Sequence, residues 1–458
     1  MNDIYTGKHV AILGAGRSGL GAAKLARKLG AQAVVFDDGD PVQLQQAVAN
    51  FAKEGISLQI GLQQAREVCA ATSFSLCVIS PGLDAGWPLP RVFSDAGVPI
   101  IGEMEFAWRQ LRDIPVVGIT GTNGKTTTTE LLEQMFQGCG LRTVACGNYG
   151  LALSEVALSG NEYDVLTLEV SSFQLETIVE FRPKVALWLN FAADHLDRYP
   201  DNESYFTAKR HMFDNMTSED VAVIRAGENL GVLAPQTLTF TTEADVDADF
   251  QLKDGNLLFK GEAFASVDDL PLQERHNIEN QMAALGAGYA MGLSFESMIK
   301  GLNGYKAARH RCELVRTVNG RRYINDSKAT NLHAMETCLR SQDNPVVLIV
   351  GGKEKGLDYT PLNDLLHHKV DRMVVLGEIA DKLYTQFSDR VPCRKAVSVP
   401  DAVLVATEMA DAGQTIVFSP GTSSFDMFSG YVERGNVFCE AVMKLSEETT
   451  PTPQPLAS

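Results

Sequence analysis

Short apolar runs of four to eight residues recur along the chain, separated by longer stretches in which apolar residues return every three to four positions. The first run, "HVAILG" (9–14), leads into an alanine-rich amphipathic stretch ending near Gly30. "AVVFDD" (33–38) follows, and later "SLCVISPG" (75–82). Strand, glycine-rich turn, helix and strand in that order predict a right-handed βαβ unit on a parallel sheet. A second block opens with "VVGIT" (116–120) and contains "YDVLTLEVSS" (163–172) and "KVALWLNF" (184–191). Between about 230 and 270 the pattern changes to residue-by-residue alternation, "DFQLKDGNLLFKGEAF", with Asp254-Gly255 as a hairpin turn. This predicts a small β-rich edge on the same domain. A third block begins near Arg309, with "RRYIND" (321–326), "PVVLIVGG" (345–352), "RMVVLGE" (372–378) and "QTIVFSP" (414–420) as its strands.

The pattern therefore predicts an α/β protein of three domains. These are an N-terminal Rossmann-like parallel sheet (1–112), a central phosphate-loop domain with a small β-rich edge (113–308) and a C-terminal Rossmann-like domain (309–445). The polar, proline-containing end (446–458) reads as a disordered tail. A length of 458 residues agrees with two or three domains. Acidic residues outnumber basic ones, 57 to 40, for a formal charge of −17, which argues against a nucleic-acid or anionic-membrane partner. Neither a signal peptide nor a membrane-spanning apolar run is expected. The eight cysteines lack C-x-x-C spacing and read as reduced packing residues of a cytoplasmic protein.

Candidate chemistry gathers at strand ends. "GAGRSG" (14–19) fits G-x-G-x-x-G between a strand and a helix, and Asp37 ends the next strand. The pattern allows a tight turn and presents a helix N-terminus to a diphosphate. A nicotinamide cofactor and a UDP-sugar satisfy it equally. "TGTNGKTT" (120–127) is a phosphate loop, although Ile119 stands where the common Walker spacing has glycine. Gly121 and Gly124, with Thr122 and Asn123 between them, leave backbone N–H groups for phosphate. Lys125 would reach the outer phosphates, Thr126 would offer its hydroxyl to Mg²⁺, and Thr127 to Thr129 open the helix.

Glu169 ends a strand as a natural second Mg²⁺ anchor. His195, flanked by Asp194 and Asp197, follows the strand expected beside the phosphate-loop strand. Lys209 is a puzzle, because an ammonium beside a dication is repelled by several kcal/mol, on the order of 4 for each unit charge at about 4 Å. Either it points away, as a solvated helix lysine does, or its charge is inverted. "HNIEN" (276–280) offers the amides Asn277 and Asn280. "ARHRCE" (308–313), "NDSKATN" (325–331), "GGKEKGLDY" (351–359) and "SPGTSSFDMF" (419–428) are polar clusters bordering strands, where ligands gather in open α/β sheets.

These motifs resemble those of the Mur ligases of bacterial cell-wall synthesis, over essentially the whole chain to about residue 445. "TGTNGKTT" and "DHLDRY" are shared broadly in that family, while "EVSSFQLE" (169–176) and "NDSKATN" resemble its D-glutamate-adding member. The "DNPR" motif of the diaminopimelate- or lysine-adding member is absent.

The resemblance implies a monomer that binds UDP-N-acetylmuramoyl-L-alanine, ATP and D-glutamate and joins the alanyl carboxyl to the glutamate amine through an acyl phosphate. Gly14, Gly16, Arg17, Ser18 and Gly19 would cradle the UDP diphosphate, with Asp37 and the turn Ser80-Pro81-Gly82 near the nucleoside. Lys125, Asn277, Asn280, Arg311, Asp326 and Lys328 would serve ATP. Thr126 and Glu169 would hold one Mg²⁺; His195 and Lys209, carbamylated by CO₂, would hold a second. Asn148 would lie near the reacting end, and Thr330, Lys355, Ser424 and Tyr431 would hold the glutamate. Because these groups are spread over three domains, the resemblance also implies domain closure. Tyr149 stands where a β-branched aliphatic residue is expected, Tyr431 replaces phenylalanine, and "DGD" follows Asp37 where a basic residue is expected. The alternatives are a family member adding L-glutamate or another amino acid, a nicotinamide-dependent oxidoreductase built on "GAGRSG", and a phosphate-loop ATPase without a covalent product.

Overall fold

A computed structural model describes residues 5–446, apart from 43, 196–197, 307–308 and 343. Asp197 and the tail beyond Ser446 thus lie outside the described residues. The chain divides into two compact units, Met1–Phe191 with Glu203–Tyr305, and Ala192–Asn202 with Lys306–Ser458.

The first unit carries two sheets. One has five parallel strands in the order Ser57–Ile60, Gln32–Asp37, His9–Leu13, Phe74–Ile79, Ile100–Gly102. The strand order reverses on either side of His9–Leu13, so the loops after it and after Phe74–Ile79 diverge and leave a crevice at the strand ends. The other sheet has nine strands. Its first six strands, all parallel, run in the order Ala145–Gly147, Leu166–Glu169, Val116–Thr120, Val185–Trp188, Val221–Arg225, Gln236–Thr241. Phe250–Lys253 pairs parallel to the last of these and opens the expected β-rich edge, followed by antiparallel Asn256–Phe259 and Glu262–Ser266. Asp254 (φ 49) and Gly255 (φ 75) both adopt the left-handed conformation that a two-residue hairpin needs.

Helices Arg17–Lys28 and Glu103–Trp108 pack on Leu153–Ser159 and join the two sheets around one core containing Val10, Ile12, Leu166 and Trp188. Glu105 lies in this junction, fully buried. It accepts hydrogen bonds from Arg109 Nε (2.8 Å) and from the backbone N–H groups of Val179 (3.1 Å), Glu180 (3.2 Å) and Phe181 (2.8 Å).

The second unit holds a six-stranded sheet in the order Glu313–Val318, Arg321–Asn325, Thr415–Phe418, Val346–Gly351, Val370–Leu376, Cys393–Lys395. Its first strand is antiparallel to its neighbour and the remaining pairs are parallel. That edge strand is reached through Asn319 (φ 49) and Gly320 (φ 76). Asn-Gly is a strong hairpin signal, and it was present in the sequence.

All ten strands read from apolar runs form. Shorter strands, Ser57–Ile60, Ile100–Gly102, Ala145–Gly147 and Cys393–Lys395, had too few apolar residues to stand out. Among the described residues no helix is long and apolar enough to cross a membrane.

Candidate active site

The phosphate loop follows the fully buried strand Val116–Thr120 and opens the 14-residue helix Lys125–Gly138. Gly124 caps that helix at φ 86, and a Cβ there would lie 2.3 Å from Asn280 Oδ1. Glycine is therefore required twice over, by its conformation and by the close approach of Asn280. Gly121 adopts φ 149 against Leu189 and Asn190. Asn190 holds the loop from the next strand end. Its carbonyl accepts from Thr122 N (2.9 Å), its Oδ1 accepts from Asn123 N (2.9 Å), and its Nδ2 donates to Asn123 O (3.1 Å). Sequence reasoning did not single out Asn190, although an amide directly after a buried strand in "LWLNF" was a usable signal.

Lys125 Nζ donates to the carbonyls of Gly121 and Thr122, both at 2.9 Å. Lys209 is not a solvated helix lysine, the first of the two readings that the sequence left open. It is 1% exposed, donates to the same Gly121 carbonyl at 2.9 Å, and lies over the Tyr205 ring at 4.7 Å. Two lysine nitrogens thus share one oxygen. This follows from the last turn of helix Asn202–Arg210 running beside the loop.

Glu169 pairs in register with Ile119 on the neighbouring strand and is buried. Its Oε1 accepts from Asn148 Nδ2 at 2.7 Å, and its backbone carbonyl accepts from Asn148 N at 2.9 Å. Its Oε2 is buried without a hydrogen-bond partner among the described residues, as is Thr127 Oγ1. A buried, unsatisfied carboxylate oxygen is costly unless a cation takes it. Carboxylate and threonine hydroxyl are the hard oxygen donors that Mg²⁺ prefers, so Glu169 fits that ion, and Thr126 offers a hydroxyl of the same class in the first turn of the loop's helix. Asn277 and Asn280 are both buried and close to each other, Asn280 Nδ2 donating to Asn277 Oδ1 at 3.4 Å.

At the crevice of the five-stranded sheet, a Cβ on Gly14 (φ 99) would lie 2.7 Å from Ser80 Oγ, and one on Gly19 would lie 1.8 Å from Gly14 O. The glycine-rich turn and the Ser80-Pro81-Gly82 turn are therefore in contact. Gly16 caps helix Arg17–Lys28 and Ser18 is in its first turn. Ser80 Oγ is buried and unpartnered among the described residues. Asp37 accepts from Ala15 N (2.7 Å) and Gly39 N (2.9 Å), so its carboxylate shapes the loop. Arg17 is committed to Glu155 at 2.7 Å and to Gly150 O.

In the second unit, Asp194 is buried and accepts from Lys355 Nζ (3.1 Å), Asn331 Nδ2 (3.0 Å) and His195 N (2.8 Å). Burial pushes its carboxyl up, but His195 and Lys355 outweigh this and hold it below the usual range. His195 adopts φ 54, unusual for a side chain of its size, with Nε2 3.8 Å from Asp194 Oδ2.

Asp326 is buried and accepts from Ser419 Oγ (2.7 Å) and Cys312 N (3.2 Å); burial raises its carboxyl to about 6. Arg311 adds an opposing positive charge, and its Nε is itself buried without a partner among the described residues. Lys328 Nζ lies 5.7 Å from the Tyr431 ring centre. Thr330 is half-buried beside Asn331, and Ser424 is buried with its carbonyl accepting from Phe428 N.

Arg434 is 1% exposed and donates to Ser327 Oγ and O and to Thr422 O; burial lowers it to about 10. Nothing in "YVERGNVF" marked it. Two clusters with metal-ligand chemistry, His310/Glu313/Cys439 and Cys312/Asp326/Cys338, are already knitted by hydrogen bonds, the first through Asn325 Nδ2.

A phosphate loop with a neighbouring buried carboxylate, on a chain that also carries a glycine-rich crevice and a further α/β sheet, defines an ATP-using ligase of the Mur type. The Mur ligase middle domain matches residues 119–288, and the Mur ligase glutamate ligase domain matches residues 310–421. The chain belongs to the Mur ligase family. The UDP-N-acetylmuramoylalanine–D-glutamate ligase of Syntrophotalea carbinolica is 39% identical over 450 residues, covering 96% of this chain and 98% of its own. That of Trichlorobacter lovleyi is 36% identical over 446 residues, covering 96% and 99%. Among solved structures, a pseudomurein peptide ligase type C from Methanothermus fervidus superposes with a TM-score of 0.61 at 18% identity, covering 95% of this chain and all of that one. That likeness concerns the fold.

Proposed function

We propose that this chain is the ATP-dependent ligase that adds D-glutamate to UDP-N-acetylmuramoyl-L-alanine in peptidoglycan precursor synthesis. The observation that carries the reading is the buried Glu169 carboxylate, oriented by Asn148 and with one oxygen unpartnered, one strand away from a glycine-built phosphate cradle. Full-length similarity to relatives named for this reaction supports the choice of substrates.

A carboxylate is a poor electrophile, so the alanyl carboxylate first attacks the γ-phosphorus of ATP, ADP leaves, and an acyl phosphate forms. The backbone N–H groups of Gly121 to Gly124 and the positive end of helix Lys125–Gly138 bind the phosphates. Lys125 moves its ammonium from its own loop carbonyls to the transferring phosphoryl group, where preorganised positive charge is most valuable. Asn277 and Asn280 serve the nucleotide beside the loop, with Arg311, Asp326 and Lys328. The glutamate amine, freed of a proton, then attacks the acyl carbon, and phosphate leaves from the tetrahedral adduct. Lys355, Thr330, Ser424 and Tyr431 hold the glutamate; orientation of the amine contributes up to about 7–11 kcal/mol.

Thr126 and Glu169 would hold one Mg²⁺, and His195 and Lys209 are assigned to a second; such ions neutralise phosphate charge. Lys209 would act as a carbamate, its neutral Nζ bonding to the carbon of CO₂ with loss of a proton. Its burial beside Lys125 supports this, since carbamylation replaces one of two crowded positive charges with a negative one. Gly14 to Gly19 and Ser80 to Gly82 receive the UDP moiety. The three-domain division at about 112 and 308, a monomeric state and a cytoplasmic setting belong to the same reading.

The test is phosphate release from purified protein with ATP, Mg²⁺ and UDP-N-acetylmuramoyl-L-alanine, comparing D-glutamate, L-glutamate and no amino acid. Release with D-glutamate alone, with a product of matching mass, is expected. Release with L-glutamate instead would keep the ligase and change its substrate; release indifferent to amino acid would remove the ligase reading.

A further inference from the structure

Tyr149 departs from its expected aliphatic identity, and the structure shows what its hydroxyl meets. Tyr149 Oη donates to Glu130 Oε1 at 2.6 Å, and Tyr305 Oη donates to Glu130 Oε2 at 2.7 Å. Glu130 lies on the phosphate-loop helix, five residues after Lys125. Both bonds have the short length of a phenol bound to a carboxylate, the stronger class of hydrogen bond.

The position of Tyr149 gives the arrangement its significance. It belongs to the loop "GNYG" (147–150), whose flanking glycines are both left-handed. Gly147 (φ 97) would place a Cβ 2.3 Å from Glu169 O, and Gly150 (φ 79) would place one 2.2 Å from Ala145 O. Between them Asn148 grips Glu169 by main chain and side chain. The loop is thus fixed at its ends by backbone contacts and at its middle by the Tyr149 hydroxyl. Tyr305 is the last residue of the first unit, from which the chain passes at Lys306 to the second.

We infer that Glu130 is a positioning residue: through Tyr149 it sets the loop that orients Glu169 for a divalent cation, and through Tyr305 it ties that loop to the end of the unit. The inference rests on the reading of Glu169 as a cation ligand, not on the identity of the amino acid added. A carboxylate accepting at both oxygens makes the two tyrosines interdependent, because loss of either frees the same side chain to rotate.

The experiment is titration of Mn²⁺, followed by electron paramagnetic resonance, into the full-length protein with a non-hydrolysable ATP analogue. Parent, Tyr149→Phe, Tyr305→Phe, the double variant and Glu130→Gln are compared, each with its thermal melt. Tyr149→Phe is expected to weaken Mn²⁺ binding about 3- to 10-fold, and Tyr305→Phe by less. The double variant should fall short of the product of the single effects, as coupled groups do. Glu130→Gln, which keeps one acceptor oxygen, should fall between the parent and the double variant. Unchanged Mn²⁺ affinity in Tyr149→Phe, even with a lower melting temperature, would make the tyrosine merely structural and overturn the proposal. Single effects that simply multiply would overturn the shared tie. If the parent binds Mn²⁺ with the analogue yet releases no phosphate with D-glutamate, the functional reading fails while this test stands. If the parent binds no Mn²⁺, the proposal itself fails.

Discussion

The polar groups of the two units are satisfied in different ways. In the first unit the phosphate cradle is made of backbone, and Glu169 Oε2 and Thr127 Oγ1 beside it, like Ser80 Oγ at the crevice of the five-stranded sheet, have no partner among the described residues. In the second unit the candidate side chains bind mainly one another: Asp194 with Lys355 and Asn331, Asp326 with Ser419, Arg434 with Ser327 and Thr422. The carboxylate of the first arrangement is left open on one oxygen, whereas the main carboxylates of the second, Asp194 and Asp326, are engaged by side chains of their own unit, with Arg311 Nε as an open donor beside them. Mutations at the cradle should therefore act first on ligand binding, and mutations at Asp194 and Asp326 should add a cost in stability to any effect on ligands.

The largest effect is expected where a buried pair loses one member. Asp194→Ala removes the carboxylate that neutralises the largely buried Lys355 ammonium, and should destabilise the second unit by about 3–5 kcal/mol. Urea melts combined with hydrogen exchange would show whether the loss is confined there; an equal loss in the first unit would break the contrast.

Gly124→Ala comes next. Its Cβ would displace Asn280 Oδ1, 2.3 Å away, and φ 86 strains any side chain there, so activity should fall about 10²–10³-fold, the cost of a misplaced oxyanion-type donor, and ATP binding should weaken in a calorimetric titration. Normal ATP affinity in this variant would refute the backbone cradle.

Asp326→Asn sharpens the comparison through pH. The native carboxyl is raised to about 6 by burial, so its folded state prefers the proton. Stability from this group is present below the unfolded value near 3.9 and is lost as pH rises through about 6. An asparagine does not titrate, and its advantage over the parent should grow by about 2 kcal/mol between pH 4.5 and 8. A pH-independent difference in denaturation would contradict the assignment.

The smallest effect belongs to Arg17→Ala. Its pair with Glu155 is exposed, and removal should cost less than about 1 kcal/mol in thermal melts. A marked rise in the KM for the UDP substrate would instead give Arg17 a role beyond that pair.

The same contrast explains what could be read from the chain before its structure. A backbone cradle needs glycines at fixed offsets, so Gly14, Gly19, Gly121 and Gly124 announced themselves as motifs. Their neighbours Lys125 and Glu169 were found by adjacency to a strand end. The long buried strands were legible because burial on both faces demands unbroken apolar runs. Side-chain networks leave no such trace: Asp194 and Lys355 meet across 161 residues of sequence, and Arg434 looks like any helix arginine. The surroundings of Lys209 were left open between two readings for a related reason, since its helix places it against Gly121 O and local sequence does not report that packing. Glu130 lies within a recognised motif region, yet its two tyrosine partners come from different elements.

Glu105 carries a consequence for the birth of the protein. Its fully buried carboxylate is satisfied largely by the N–H groups of residues 179–181, and Phe181 lies 76 residues further along. At about 5–20 residues per second of synthesis, those donors follow about 4–15 s later. During that interval the first sheet has been translated but its junction cannot close, because a buried carboxylate lacks most of its hydrogen bonds. The nascent chain must keep that face wet or shielded, so the N-terminal sheet matures on the ribosome's schedule for the second sheet rather than on its own.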